Sequence, residues 1–205
     1  MTPAPRRRPL KVGVFLPCIE GTLAGATPRW ADLLAMAQRA EAVGFDSVWV
    51  PDHVLFRPRS EGAPPRGIWE AWSLVAALAA ATRRVEVGPL VLCAGFRNPA
   101  LLAKMADTVD EISAGRLVLG LGAGWNEFEY RAFGYPFDHR VGRFAEALPL
   151  IRALLREGRA DAAGAYHQAA GAELHPRGPR PGGPPLLVGA AGARMLRLTL
   201  SLIHI

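Results

Sequence analysis

Residues 40–53 read Ala-Glu-Ala-Val-Gly-Phe-Asp-Ser-Val-Trp-Val-Pro-Asp-His, and this stretch carries the unit from which the fold is built. Its first residues complete a helical repeat of apolar positions, and Gly44 stands where a helix ends. Residues 46–50 then form a short apolar run that Pro51 stops, which is typical of a buried parallel strand. The stretch therefore predicts a helix followed by a buried strand.

Strands and helices alternate on both sides of this unit. Residues 12–16 form an earlier strand-like run, and Thr27 followed by Pro28 is a typical helix start. Strands that alternate with helices over short connections predict an α/β fold with a parallel sheet, although the pattern alone does not separate a closed barrel from an open doubly wound sheet. The remaining predictions are strands at 85–92, 116–121 and 186–188, helices at 69–82, 98–115, 141–155 and from 193 onward, and little pattern over 161–185.

The composition describes a globular chain with room for one domain. Half of its 205 residues are apolar and a fifth are charged, and no apolar run is long enough to span a bilayer. We therefore expect no membrane partner. The net charge of +6 comes from scattered arginines, whereas nucleic-acid binders usually concentrate basic residues on one face, so no nucleic-acid partner is expected either.

The N-terminus and the cysteines indicate a cytoplasmic protein. Residues 1–9 are rich in proline and arginine and lack the apolar core of a signal peptide, so we expect a disordered tail. Cys18 and Cys93 do not suggest a disulfide framework, and reduced thiols are the default. The five histidines show no close-spaced pair of ligands, so no metal site is expected.

Polar residues follow the second predicted strand directly, at the end where parallel barrels carry their active sites. Asp52 and His53 come after Pro51. Imidazole exchanges a proton near neutral pH, so His53 is a candidate acid or base, while Asp52 accepts hydrogen bonds from a cofactor or fixes the loop. A loop-capping aspartate beside an incidental surface histidine is an equal alternative from position alone.

Small residues follow the third and fifth strands, where a flat ligand can approach the backbone closely. Cys93 and Ala94 end the third strand, and Cys93 fits a space-filling role better than that of a nucleophile because no activating base is evident. Ala190, Ala191 and Gly192 lead from the fifth strand into a helix, whose N-terminal N–H groups suit a phosphate. A tight strand-to-helix turn is the equal alternative there.

The fourth strand ends in a glycine-rich run, residues 120–127, that could be mistaken for a dinucleotide fingerprint. The third glycine of that motif is missing in either register, since Trp125 and Glu127 stand in its place, so a nicotinamide-binding doubly wound fold is rejected. At this strand end, Gly124 is followed by a stacking ring on Trp125, an amide on Asn126 and a carboxylate on Glu127.

Taken together, these segments resemble the luciferase-like monooxygenase family, and within it the branch that uses the deazaflavin coenzyme F420. The resemblance covers nearly all of residues 10–199. It implies a TIM barrel, (β/α)₈, of the bacterial-luciferase type, with only about five of the eight strands present. The segments that carry it are residues 40–53, 96–104, 108–116, 120–137 and 185–189.

The resemblance also implies roles for the residues at the strand ends. His53 would serve as the acid or base, and the loop of Ala190, Ala191 and Gly192 would hold the cofactor phosphate. A non-prolyl cis peptide bond would fall near Cys93 and Ala94, behind the cofactor ring. The expected cofactor contacts are Asp52, Cys93, Ala94, Gly124, Trp125, Asn126, Ala190, Ala191 and Gly192.

The function that the resemblance implies is hydride transfer between coenzyme F420 and a small organic substrate, in a full-length protein that forms a homodimer. An FMN-dependent monooxygenase on the same barrel is one alternative, and a non-catalytic flavin-binding relative or subunit is another. Sugar-phosphate dehydrogenases of the family carry Trp four residues after the histidine and Glu directly after the strand-four glycines. Arg57 and Trp125 stand at those positions here, which argues against a sugar-phosphate substrate.

The last residues, Leu-Ser-Leu-Ile-His-Ile at 200–205, do not continue the pattern before them. They match a translation of the transposon-end adapter used in sequencing libraries, so we expect a non-native tail after Thr199; a natural C-terminus that matches by chance is the alternative. A complete barrel of this kind needs about 250 residues. We therefore expect residues 10–199 to form a partial barrel that is inactive alone.

Overall fold

The computed structural model of the chain describes residues 10–58 and 62–203, so the predicted tail at 1–9 and the last two residues lie outside the described part. The helices and strands alternate as the sequence predicts. The strands are β1 (Gly13–Phe15), β2 (Ser47–Val50), β3 (Glu86–Pro89), β4 (Leu92–Cys93), β5 (Leu119–Gly122), β6 (Arg159–Ala163), β7 (Gln168–Glu173) and β8 (Leu186–Gly189), and the helices are α1 (Trp30–Ala42), α2 (Ala71–Ala81), α3 (Pro99–Ile112), α4 (Glu127–Ala132), α5 (Arg140–Glu157) and α6 (Ala193–Ile203).

The main sheet is parallel, and its strands lie side by side in the order in which they occur along the chain. β2 pairs with β1 and β3, while β5 pairs with β4 and β8. A parallel bridge between Val87 and Leu117 joins the two groups. A doubly wound sheet reverses its strand order at a switch point, so this sequential order confirms the barrel type of winding. Within the described residues the sheet is not closed, because β1 and β8 each pair with a single strand.

The sequence predicts one continuous third strand over 85–92, and the structure differs. It consists of β3 and β4, separated by Leu90 and Val91. The chain changes partner at this break, since β3 pairs with β2 whereas β4 pairs with β5. The cis peptide bond expected near Cys93 and Ala94 joins Leu90 to Val91 instead, so its predicted position was wrong.

Side-chain caps start two of the helices that pack on the sheet. α3 begins as predicted, with Pro99 in its first turn and the Asn98 side chain accepting hydrogen bonds from the N–H groups of Ala100 and Leu101. α2 begins after Glu70, which caps it in the same way. The predicted start of α1 at Thr27 was wrong, because this helix begins at Trp30.

The segment between α5 and β8, which the sequence left without pattern, contains an antiparallel hairpin of β6 and β7. Its strands consist largely of alanine and therefore lack the alternation of apolar and polar residues that predicts a strand. The Glu146 carboxylate on α5 accepts the N–H groups of Ala165, Tyr166 and His167 at the hairpin turn. The hairpin is thus fixed to the outer face of α5.

One apolar core lies between the main sheet and its helices. No helix in the described part of the chain is long and apolar enough to cross a membrane. The side chains that are fully buried in the core include Leu16, Leu33, Leu78, Leu92, Leu102, Leu117, Leu119, Leu121, Ile151 and Leu154.

Candidate functional site

A cavity of about 490 Å³ lies at the carboxyl ends of the parallel strands. The chain leaves the sheet there after β2, β4, β5 and β8, so residues that are far apart in sequence meet around one space. This volume falls within the range of small-molecule sites. The residues predicted for the site that line the cavity are Asp52, His53, Cys93, Gly124, Trp125, Ala190 and Ala191.

Three residues predicted as cofactor contacts do not line this cavity. Ala94 is buried at the start of a short 3-10 turn. Asn126 precedes α4, and its side-chain N–H lies 3.5 Å from the backbone oxygen of Leu55. Gly192 takes a left-handed conformation, with φ +80°, in the turn before α6. Their positions indicate that they shape the connections that follow β4, β5 and β8.

His53 is held by a buried carboxylate that the sequence did not reveal. Its Nδ1 lies 2.8 Å from Oε1 of Glu129, whose side chain is only 3% exposed. Oε2 of Glu129 accepts the backbone N–H of Val54 at 3.1 Å. The carboxylate therefore fixes both the imidazole and the backbone that follows it.

Asp52, the neighbour of His53, faces a different set of partners. Its Oδ2 accepts the backbone N–H of Cys93 at 2.7 Å, and both of its carboxylate oxygens receive hydrogen bonds from the Arg97 guanidinium, at 2.8 and 3.0 Å. Arg97 also pairs with Glu70 at 2.6 Å. Asp52 thus joins the ends of β2 and β4 in the cavity wall, which is the loop-fixing role; direct contact with a cofactor stays a prediction.

Cys93 lines the cavity with a thiol that is not ionised at neutral pH. Burial raises its pKa to about 12. Its sulfur lies 2.7 Å from the Tyr130 hydroxyl, which donates to the backbone oxygen of Ala123 at 2.9 Å. Burial also raises the pKa of Tyr130. These contacts favour the space-filling role for Cys93.

The Val91 side chain packs against two glycines that also line the cavity. A Cβ atom on Gly122 would come within 2.9 Å of Val91 Cγ2, and a Cβ atom on Gly189 would come within 2.7 Å of the same atom. Only glycine fits at these two positions without movement of Val91. The absence of a side chain at these glycines therefore makes room for Val91 at the ends of β5 and β8.

One corner of the cavity suits an anion. Ala190 and Ala191 line it just before α6, so N–H groups and the positive end of the helix dipole are directed there. The cavity is also lined by Arg140, whose guanidinium carbon lies 4.5 Å from the centre of the Phe137 ring. The sequence did not single out Arg140, because nothing distinguishes it from the other arginines.

Two carboxylates follow the glycines of β5, and the sequence analysis named only the first of them, Glu127. Glu127 is half-exposed and pairs with Arg131 at 2.6 Å on the surface of α4. Glu129, two residues later, lies on the opposite side of this short helix, among buried groups. The signal for α4 is weak because it is a single short helix of six residues.

The comparisons with known proteins agree with this geometry. The family model of the luciferase-like monooxygenases matches residues 10–205. An F420-dependent glucose-6-phosphate dehydrogenase of Amycolatopsis mediterranei is 37% identical over 165 residues, which is 78% of this chain and 48% of the relative. A 5,10-methylenetetrahydromethanopterin reductase of Archaeoglobus fulgidus is 32% identical, over 85% of this chain and 48% of the relative.

A solved structure shows the same fold. An F420-dependent secondary alcohol dehydrogenase, in complex with an F420-acetone adduct, superposes with a TM-score of 0.74 at 28% identity, over 92% of this chain and 54% of that chain. The chain spans about half the length of the relatives it matches. From its sequence match and its barrel-type sheet, the chain belongs to the luciferase-like monooxygenase family.

Proposed function

We propose that the full-length protein is a deazaflavin-dependent oxidoreductase that transfers a hydride between coenzyme F420 and a small organic substrate. The observation that carries this proposal is His53, which is held by Glu129 at the wall of the cavity at the strand ends. The F420-dependent dehydrogenases among the relatives support the same activity. Each of these relatives is a longer protein, so the activity is proposed for the full-length form.

The cavity fits a deazaflavin in two respects. Its volume of about 490 Å³ accommodates a ring system, and the start of α6 after Ala190 and Ala191 suits a phosphate. The bound cofactor would supply the hydride chemistry. Trp125 also lines the cavity and would help to orient a substrate over the ring.

The chain's own part in the reaction is the proton that accompanies the hydride. We assign it to His53, whose side chain is 15% exposed and lines the cavity. The substrate remains a small organic molecule of unassigned class. Arg57 stacks on Phe128 at 3.8 Å, and Trp125 replaces the family's glutamate, so a sugar phosphate is not favoured.

Titration of the full-length protein with coenzyme F420 and with FMN tests this proposal, in the wild type and in His53→Ala. We expect saturable deazaflavin binding in both proteins, and a loss of turnover of about 10²- to 10⁴-fold in the variant, which is typical when a general acid or base is removed. His175→Ala is the matched control, because His175 is an exposed histidine outside the cavity. It should behave as the wild type.

Other outcomes of this titration would contradict the proposal. Unchanged turnover in His53→Ala would remove His53 from the reaction. Preferential FMN binding with oxygen consumption would favour the monooxygenase alternative. Deazaflavin binding without turnover on a broad panel of alcohols, aldehydes and ketones would favour a non-catalytic binding protein.

We also propose a cytoplasmic homodimer. Trp30 and Trp69 are 39% and 42% exposed and flank an apolar cavity of about 580 Å³ between α1 and α2, which suits a partner helix. Both cysteines are free thiols, as in a reducing compartment. Light scattering on the full-length protein measures its oligomeric state, and a monomer would overturn the dimer.

A further inference from the structure

We propose that Glu129 is a positioning residue that holds His53 with its proton on Nδ1, so that Nε2 is the atom that exchanges a proton with the substrate. The inference rests on the proposed function for the identity of the reaction, but its structural basis is independent of any cofactor. It assigns a role to a carboxylate within α4 that the sequence analysis did not single out.

The first step of the argument is that Glu129 cannot turn freely. Oε1 lies 2.8 Å from His53 Nδ1, and Oε2 accepts the N–H of Val54 at 3.1 Å, with Leu55 N–H at 3.5 Å. The side chain is 3% exposed. Burying a carboxylate without hydrogen-bond partners costs free energy. Both oxygens of Glu129 therefore stay bonded to the segment that follows β2.

The second step concerns the tautomer of His53. An ionised carboxylate only accepts hydrogen bonds, so a contact with it places the imidazole proton on Nδ1 and leaves a lone pair on Nε2. Nε2 is then the ring nitrogen that a side chain lining the cavity has available for a substrate. The edges of Phe56 and Trp125 meet the ring at centroid distances of 5.4 and 5.8 Å and hold its plane.

The third step excludes the neighbouring carboxylate from this role. Asp52 is adjacent to His53 in sequence, but its oxygens are bound by Arg97 and by the N–H of Cys93. Glu129 is therefore the acid group that orients the imidazole. The pair resembles, in its geometry, other catalytic histidines whose second nitrogen is held by a buried carboxylate.

The proton balance follows from this arrangement. If the substrate is an alcohol, its O–H bond would break and an Nε2–H bond would form, while the electron pair of the C–H bond would leave as the hydride that a bound deazaflavin accepts. The imidazolium that results would be stabilised by the Glu129 carboxylate, 2.8 Å from Nδ1. In the reverse direction the Nε2–H group protonates the oxygen of the reduced carbonyl.

Nitrogen NMR of the full-length protein, labelled with ¹⁵N-histidine, tests the proposal. At a pH where His53 is neutral, we expect its Nδ1 to be protonated and its Nε2 unprotonated in the wild type, with His53→Gln providing the assignment. In Glu129→Gln we expect a mixture of tautomers. Since the wrong tautomer cannot accept a proton at Nε2, kcat should fall by at least about tenfold, and as much as ~10⁴-fold, with the KM for the deazaflavin retained.

Glu127→Gln is the matched control, because it removes an exposed carboxylate on the same helix and should leave the tautomer and kcat unchanged. A wild-type His53 protonated on Nε2, or averaged between the two nitrogens, would overturn the proposal even if Glu129→Gln fails to fold. The tautomer is measured without a cofactor. A protein that shows the expected tautomer but does not bind the deazaflavin would therefore contradict the proposed function alone.

Discussion

At the end of β4, Cys93 combines a position in the cavity wall with an unreactive thiol. Burial raises its pKa to about 12, and burial raises the pKa of Cys18 to about 12 as well. At pH 8 about one such thiol in ten thousand is ionised, and the thiolate is the reactive form. We therefore expect slow alkylation of the native full-length protein by iodoacetamide at these two positions, with a rate that rises about tenfold per pH unit.

Mass spectrometry of the intact protein and of its peptides measures this reaction, and the same protein unfolded in urea is the control. Both cysteines should react quickly once unfolded. Rapid modification of native Cys93 at pH 7 would contradict the burial that the structure shows and would reopen a role for this thiol in the chemistry.

The sequence predicted those residues of the site that stand directly after a strand. Asp52 and His53 were placed correctly at the end of β2, yet consecutive side chains that leave a strand turn to opposite sides. Their partners consequently differ, and only the structure assigns Arg97 to Asp52 and Glu129 to His53. Long-range pairs of this kind leave no local pattern, which is why the sequence analysis named Glu127 and not Glu129.

Among the elements, α2 depends on a charged cap. The Glu70 carboxylate accepts the N–H groups of Trp72 and Ser73 at 2.9 and 2.7 Å and also pairs with Arg97. Burial raises the pKa of Glu70, but these hydrogen bonds outweigh burial and hold the pKa below its ordinary value. A carboxylate with a lowered pKa stabilises the fold above the pKa of the unfolded chain, about 4.3, and this contribution is lost as the pH falls through the folded value.

We expect Glu70→Ala to lower the free energy of unfolding of the full-length protein by about 1 kcal/mol at pH 7, which is typical for the loss of a helix cap. The deficit should shrink as the pH falls below about 4. Urea unfolding at a series of pH values measures it, with Glu111→Ala as an exposed carboxylate control on α3. A deficit that is independent of pH would show that the charge of Glu70 is not what stabilises α2.

The elements differed in how far the sequence predicted them. α3 was predicted with its cap, because Asn98 and Pro99 form a local signal that the fold preserves. The hairpin of β6 and β7 was missed, since alanine supplies no alternation and the hairpin is held by Glu146 from another element. Elements that are defined by contacts with distant residues are the ones that sequence patterns fail to predict.

At the scale of the whole molecule, the open sheet leaves apolar surface at both edges. Phe15 on β1 is 49% exposed, and Leu196 on α6 is 51% exposed. An unpaired strand edge beside apolar side chains promotes association between chains. We expect the 205-residue polypeptide, expressed alone, to associate or to bind the dye ANS strongly. A sharp cooperative thermal transition in a monomeric sample, measured by calorimetry and light scattering, would refute this.

The winding of the sheet was the part of the fold that periodicity alone could not decide. Alternating strands and helices fit a barrel and a doubly wound sheet equally well, and the family resemblance favoured the barrel. The structure settles the matter through its strand order, which depends on pairings such as Leu119 with Leu186. Such pairings join residues far apart in the chain and are invisible to a local window.

The sequential strand order also bears on how the chain is made. Val14 pairs with Val48, and Val48 pairs with Val87, so each strand docks beside the one synthesised just before it. During translation, a nascent chain of this type can add strand–helix units one after another as they leave the ribosome. The β2 end that carries His53 would then be flanked by both neighbouring strands while β8 is still to be synthesised.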